Sequence, residues 1–232
     1  MPHQKNFLLN RLEPELLARI VPHLSVVELG HSDVLAETHE RIETVYFPHS
    51  GIISCVVELA GGGAVESGMI GNDGEFGASQ ALDDKVSLNH VVTQVGGVAS
   101  VISSDRIREV SDELPAFRGL LVKYEQFFLA QVQQTAACNA VHNTPARMCK
   151  WLLRMNDLVG DELPLTQEFL AQMIGVRRTT VTEIAGELQK AGMIKYSRGR
   201  IRILDLEQIK AWACECHEDV RSHHRRIFSS NE

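Results

Sequence analysis

No serine–histidine–aspartate ordering, paired-carboxylate context, HExxH sequence or phosphate-binding loop occurs in this chain, so nothing in it points to an enzyme. Long apolar runs are absent too. The opening MPHQKNFLLNRLEPELLARIVPHL has no sustained apolar stretch and no small-residue cleavage site, so neither a signal peptide nor a transmembrane helix is expected, and a cytoplasmic location is the default. Five cysteines (Cys55, Cys138, Cys149, Cys214, Cys216) form an odd set without the paired spacing of a secreted disulfide framework; free thiols are expected. Arginine is missing between Arg41 and Arg106, where Lys85 is the lone cation.

What is present is enough to fold. A chain of 232 residues with 44% hydrophobic content can bury a substantial core and accommodate two small domains. Its net charge of -7 is unevenly spread: residues 1–145 carry nine Lys/Arg against eighteen Asp/Glu, and residues 146–232 carry fourteen against twelve. The two parts therefore face different partners.

The strongest signal is Leu165–Ile203, LTQEFLAQMIGVRRTTVTEIAGELQKAGMIKYSRGRIRI. Thr166 suits a helix N-cap, with Glu168 in the first turn where the helix dipole favours negative charge. Leu170, Met173 and Ile174 recur at helical spacing, Ala171 is small where a second helix must cross, and Gly175 allows a sharp turn. A second helix is predicted from about Arg177 to Lys190, with Val181, Ile184 and Leu188 inward and Gly192 as its stop. Its first turn is Arg177-Arg178-Thr179-Thr180, the position from which a recognition helix reads base edges in the major groove. A short hairpin follows, Ile194–Tyr196 and Ile201–Ile203, ringed by Lys195, Arg198, Arg200 and Arg202. Seven Lys/Arg against two Glu between Arg177 and Arg202 give a local charge of +5 in an acidic chain, as phosphate contact requires.

Upstream, a helix is predicted from Glu13 to about His23, and short strands at Thr44–Phe47, Ile52–Leu59, Ala64–Met69, His90–Val95 and Val98–Ile102. They imply a small sandwich, roll or barrel. Glycines at 68, 71, 74 and 77 read as tight turns. A long helix from Pro115 to Asn143 carries a heptad seam, Phe117, Leu121, Tyr124, Phe128, Gln131, Thr135, Cys138 and His142, read as a dimer contact; Leu120, Phe127 and Val132 form a second apolar flank. Asn143-Thr144-Pro145 is the expected hinge, with Thr144 as N-cap and Pro145 opening a helix to about Leu158. A last helix is expected from Leu206 to His217, with His223-His224-Arg225-Arg226 as an exposed tail. Cys214-x-Cys216-His217 is compatible with metal binding or a response to oxidation, and a structural helix with no metal ligand set is the favoured reading.

This order of parts resembles the cyclic-AMP receptor protein and fumarate-nitrate regulator family of bacterial transcription factors, over nearly the whole chain. LTQEFLAQMIGVRRTTV looks like the family's helix-turn-helix, and VYFPHSGIIS (Val45–Ser54) like its β-roll. The resemblance implies an α+β chain: a cyclic-nucleotide-binding-like β-roll over residues 1–114, a dimerisation helix over 115–143 and a winged helix-turn-helix over 144–232. It implies a homodimer on a twofold-symmetric operator, no catalysis, and RNA polymerase as a further partner. Arg178 falls on the family's guanine-contacting arginine, Thr179 replaces a glutamate and Glu183 replaces a second arginine, so the target sequence differs. Thr166, Arg177, Thr180, Lys195, Arg198 and Arg200 complete the expected DNA-binding set.

The sensory half departs from the pattern. Gly74, Glu75, Gly77, Ala78, Leu88 and Asn89 correspond to the effector pocket, but Ala78 stands where a ribose-binding glutamate would, and no arginine is at hand for a cyclic phosphate. Cyclic AMP is therefore disfavoured. The lack of cysteines before Cys55 disfavours an iron-sulfur cluster, and Pro2 alone does not make a haem site. A thiol- or metal-responsive regulator of the same architecture, or a ligand-binding enzyme on the β domain, are the competing readings.

Overall fold

A computed structural model describes residues 2–82 and 86–229. Lys85 lies outside the described residues. In chain order the elements are α1 (Phe7–Asn10), α2 (Pro14–Ile20), β1 (Ser25–Leu29), β2 (Val34–Ala36), β3 (Thr44–Pro48), β4 (Ile52–Glu58), β5 (Ala64–Ile70), α3 (Ala78–Leu82), β6 (His90–Val95), β7 (Gly97–Ser103), α4 (Ser104–Glu113), α5 (Pro115–Val141), α6 (Thr144–Val159), β8 (Glu162–Leu163), α7 (Gln167–Ile174), α8 (Arg178–Lys190), β9 (Ile194–Ser197), β10 (Arg200–Ile203), α9 (Leu206–Trp212) and α10 (Cys216–Phe228). Among the described residues no helix is long and apolar enough to cross a membrane.

Two compact units result, Met1–Cys55 with Met69–Leu129, and Val56–Gly68 with Ala130–Glu232. The boundary runs through α5 and cuts off the outer part of the β4–β5 hairpin, whereas the expected boundaries after residues 114 and 143 fall inside one unit each.

The strands of the roll form a three-stranded sheet ordered β1-β7-β3 and a four-stranded sheet ordered β2-β6-β4-β5. β7 is the central strand of the former, antiparallel to both neighbours, with Val27 opposite Ala99 and Phe47 opposite Ser100. Val45 and Phe47 alternate inward from β3 and are fully buried, the period of two that a strand with one buried face imposes. A buried asparagine anchors the N-terminal turn. Asn6 Nδ2 donates to the carbonyls of Pro48 (2.9 Å) and Gly74 (2.7 Å), and its Oδ1 accepts from the N–H groups of Leu8 (3.0 Å) and Leu9 (3.2 Å). All its polar atoms are used, which removes the desolvation penalty of burying an amide.

Strands β1 and β2 and helices α3 and α4 were not expected. β1 (SVVEL) and β2 (VLA) are short and half-exposed, so their apolar pattern is weak. Helix α4 is marked by Ser103, whose hydroxyl accepts from Arg106 N–H as an N-cap.

Glu75 sits inside this unit. Burial pushes its carboxyl up to about 8, and nearby Glu125 adds to the rise, while the bond accepted from Ala78 N–H acts the other way. Glu125 is itself raised, chiefly by burial. An unfolded chain releases this proton near pH 4.3, roughly the free glutamate value. Between about pH 4.3 and about pH 8 the native state therefore holds the extra proton, and stability falls as pH rises through that window. Glu75→Gln keeps an oxygen for Ala78 N–H and removes the titration. The thermal midpoint of the wild type is expected to drop between about pH 5 and about pH 8 more steeply than that of the variant; parallel slopes in a calorimetric pH series would refute this account of Glu75.

Candidate nucleic-acid interface

The second unit presents two crossing helices and a three-stranded sheet ordered β8-β10-β9. Thr166 caps α7, its hydroxyl accepting from Phe169 N–H at 3.1 Å. The helix buries Leu170, Ala171, Met173 and Ile174. It ends at Gly175 in the left-handed region (φ 65°, ψ 44°), with Val176 N–H bonded to Ala171 O (2.9 Å) and Gly175 N–H to Gln172 O (3.2 Å). That paired pattern is a Schellman stop, which glycine adopts without a Cβ penalty. The Arg147 guanidinium of α6 donates to Ile174 O and holds the turn further, and the space beside Gly175 is tight: a Cβ added there would lie 3.1 Å from Val65 Cγ2.

Arg177, extended at φ -73°, ψ 146°, occupies the N-cap of α8 and offers no side-chain cap bond. The uncapped N–H groups and the helix dipole leave this end suited to an anion. Val181, Ile184, Ala185 and Leu188 turn inward. By that same periodicity Arg178, Thr179, Thr182 and Glu183 turn outward, and they are exposed, as is Arg177; Thr180 is half-buried. Arg178 Nη1 lies 3.8 Å from Glu168 Oε2, with both side chains mostly exposed. Such a pair contributes about 0–1 kcal/mol and yields readily to a better acceptor. Thr182, not anticipated from sequence, donates to Gln167 Oε1 (2.8 Å) or to Arg178 O (3.0 Å), tying the outer faces of α7 and α8. Its i+4 spacing from Arg178 was the available signal.

The hairpin β9–β10 pairs Lys195 with Arg202 and Arg200 with Ser197 across a two-residue turn, Arg198-Gly199. Both turn residues have positive φ, 48° and 74°, as a type I′ hairpin requires. Ile194, Ile201 and Ile203 are buried, while Lys195, Arg198, Arg200 and Arg202 are exposed. Arg202 is engaged by Glu162 at 3.2 Å, so Lys195, Arg198 and Arg200 form the forward edge of the wing.

The family model of the Crp-like helix-turn-helix domain matches residues 146–212. This segment belongs to that family. No curated protein sequence matches the chain. Solved structures match in fold over most of its length. FixK2 from Bradyrhizobium japonicum superposes with a TM-score of 0.71 at 12% identity, covering 82% of this chain and 98% of that one. A transcriptional regulator of the Crp/Fnr family from Thermus thermophilus gives 0.68 at 22% identity, covering 82% and 98%. The c-di-GMP-responsive global regulator CLP of Xanthomonas campestris gives 0.68 at 14% identity, covering 82% and 99%. In fold the chain is thus similar to these proteins: a β-roll, a long helix and a Crp-like helix-turn-helix.

The other expected sites are differently placed. Phe117, Leu121 and Tyr124 are 0%, 2% and 2% exposed within a single chain, and Phe128 is half-buried. Phe117, Leu121 and Tyr124 pack inside the first unit and do not lie open on the helix surface, as a seam between two chains requires. Gly74, Glu75, Gly77 and Ala78 are buried. A Cβ at Gly74 would stand 2.0 Å from the Tyr124 hydroxyl, and Glu75 Oε2 accepts from Ala78 N–H at 2.9 Å. These groups are taken up by the fold itself. Leu88, by contrast, is 73% exposed and Asn89 half-buried. The cap of α6 is Asn143, whose Oδ1 accepts from Ala146 N–H at 3.0 Å, instead of Thr144. The expected last helix divides at Ala213 into α9 and α10, and the His223–Arg226 stretch lies within α10. His217 Nε2 bonds Asp157 Oδ2 at 2.8 Å, away from the neighbouring thiols.

Arg198→Asn tests the wing turn with two opposed readouts. Asparagine tolerates positive φ better than arginine, so stability should rise by roughly 0.5–1 kcal/mol in denaturant unfolding. Loss of the cation should lower the slope of log affinity against log salt for duplex DNA by about 1. An unchanged salt slope would remove Arg198 from the phosphate-contacting set.

Proposed function

We propose that this Crp/Fnr-type DNA-binding regulator acts as a homodimer whose paired α8 helices enter successive major grooves of a twofold-symmetric operator, about 34 Å apart. The observation that carries the reading is the exposure of Arg177, Arg178 and Thr179 on the uncapped first turn of α8. Arg178 reads a guanine edge through two bonds, Thr179 and Thr180 contact nearby phosphates or a thymine methyl, and Thr166, Lys195, Arg198 and Arg200 track the backbone. Glu183 faces the same groove and disfavours close phosphates, which narrows the sequences accepted.

Dimerisation is supported by α5. Gly119, Val122, Gln126, Leu129, Gln133, Ala136 and Ala140 are exposed at alternating spacings of three and four. Val122 and Leu129 are 49% and 54% exposed, large side chains on a helix of 27 residues. A seam of this period is that of a two-stranded coiled coil, and its small residues permit close helix approach. The β-roll does not take cyclic AMP in the family manner: burial of Gly74, Glu75, Gly77 and Ala78 within the fold, and Ala78 in place of a ribose-binding carboxylate, support that reading. Rotation at Asn143-Thr144-Pro145 then sets the spacing between recognition helices.

Two variants separate the parts of this reading. Leu129→Asp should convert dimer to monomer in light scattering while leaving the circular dichroism unchanged, and should abolish binding to a palindromic site selected from random DNA. Arg178→Ala should remain dimeric and lose about 1–3 kcal/mol of operator affinity, with relaxed preference at one base pair per half-site. A Leu129→Asp protein that stays dimeric, or an Arg178→Ala protein with unaltered base preference, would contradict the corresponding assignment.

A further inference from the structure

Cys138 lies in the last turn of α5 and His142 directly follows the helix, its N–H bonded to Cys138 O at 3.0 Å, so the two side chains leave on the same side. Cys214 comes from the connection between α9 and α10 and Cys216 from the first position of α10, more than seventy residues later. The fold brings one donor atom from each to within 4.8 Å of every other. The three thiols are free and buried, and the imidazole is half-buried at their edge. Cys138, Cys214 and Cys216 close their own small cluster with Ala146 packed against it.

The spacings decide between a packed core and a ligand set. Cys138 Sγ and Cys214 Sγ are 3.5 Å apart, and Cys216 Sγ and His142 Nδ1 are 3.5 Å apart. A disulfide needs about 2.05 Å, so the pair is not bridged. Tetrahedral coordination with zinc bonds of about 2.3 Å to sulfur and about 2.05 Å to nitrogen puts sulfurs about 3.8 Å apart and sulfur and nitrogen about 3.6 Å apart. These two pairs lie within a few tenths of an ångström of that geometry, and the remaining pairs, at up to 4.8 Å, close to it by side-chain shifts of about 1 Å or less. The imidazole is also oriented for the role: Nδ1 faces the sulfurs while Nε2 lies 3.2 Å from Glu215 Oε1. A histidine that ligates through one nitrogen and donates its other N–H to a carboxylate has its tautomer and ring plane fixed by that second bond.

We propose that Cys138, His142, Cys214 and Cys216 form a closed four-ligand site for one zinc-class divalent cation. Three thiolates and an imidazole suit a soft, tetrahedral ion and exclude magnesium and calcium, which take oxygen ligands. Four protein ligands leave no open position, so the ion is structural. Binding releases the three thiol protons to solvent and leaves a complex of net charge -1. It clamps the end of α5, just before the Asn143 cap of α6, to the start of α10. Glu215 is a positioning residue. The Cys214-x-Cys216-His217 stretch gives two thiols to this site, and His217 stays outside it, bonded to Asp157 Oδ2.

The test uses the full-length chain, reduced and stripped of metal with a chelator, and needs no DNA. Cobalt(II) titration should give the intense visible bands of a tetrahedral site and thiolate-to-cobalt charge transfer, saturating at one ion per chain and bleached by zinc(II). Cys138→Ser and Cys216→Ser should lose the thiolate bands, whereas Cys55→Ser, altered at a thiol outside the set, should keep them. Glu215→Gln should retain the spectrum and weaken affinity about tenfold. The wild-type spectrum decides even where a cysteine variant fails to fold. Octahedral, weakly coloured cobalt, or bands that survive loss of both Cys138 and Cys216, would overturn the proposal, as would an iron-sulfur chromophore that zinc cannot displace.

Discussion

The left-handed backbone at Gly175 is the constraint on which the recognition surface depends. It stops α7, reverses the chain in two residues and starts α8 with its first turn facing outward. Any side chain at that φ is strained, and here a Cβ would also press on Val65. The carbonyls of Ala171, Gln172 and Ile174 at the end of α7 are satisfied by the Schellman bonds and by Arg147. A rigid turn fixes the angle between the two helices, and that angle determines whether Arg177 and Arg178 emerge together.

Around that turn the C-terminal unit separates structural from recognising side chains along the same helices. On α8 the inward residues Val181, Ile184 and Leu188 supply burial, while the outward ones include the arginines, Thr182 and Glu183. Trp151 Nε1 donates to the buried carboxylate of Glu66 at 2.8 Å, a charge-assisted bond between α6 and the β4–β5 hairpin. The hairpin and the recognition helices therefore belong to one packed unit. Weak ion pairs such as Glu168–Arg178 keep the arginines near the surface at little energetic cost to a rearrangement.

Helix α5 divides its labour by face and by length. Its N-terminal half buries Phe117, Leu121 and Tyr124 in the first unit, where Tyr124 is in contact distance of the Gly74 backbone. Opposite positions keep Val122 and Leu129 exposed, and its C-terminal end delivers Cys138, and His142 just after the helix, to Cys214 and Cys216. One helix thus meets a β-roll core, an open seam and a thiol cluster, because successive residues advance by about 100° around its axis.

Local chemistry was legible in the residues. Thr166 and Gly175 announced the limits of α7, the alternation in TVYF and the glycine breaks announced five strands, and the +5 patch announced the basic wing. These signals are short-range: caps, turns and periodicities act over a few residues. Which face of α5 is buried was not legible, because two apolar stripes share the helix and only packing chooses between them. Nor was the break at Ala213, which local periodicity runs straight through. The sequence by itself determined where the backbone turns and where cations gather. Tertiary structure alone decided that Tyr124 is core, that Leu129 is surface, and that thiols from α5, the α9–α10 connection and the start of α10 meet, since such outcomes depend on contacts between segments distant along the chain.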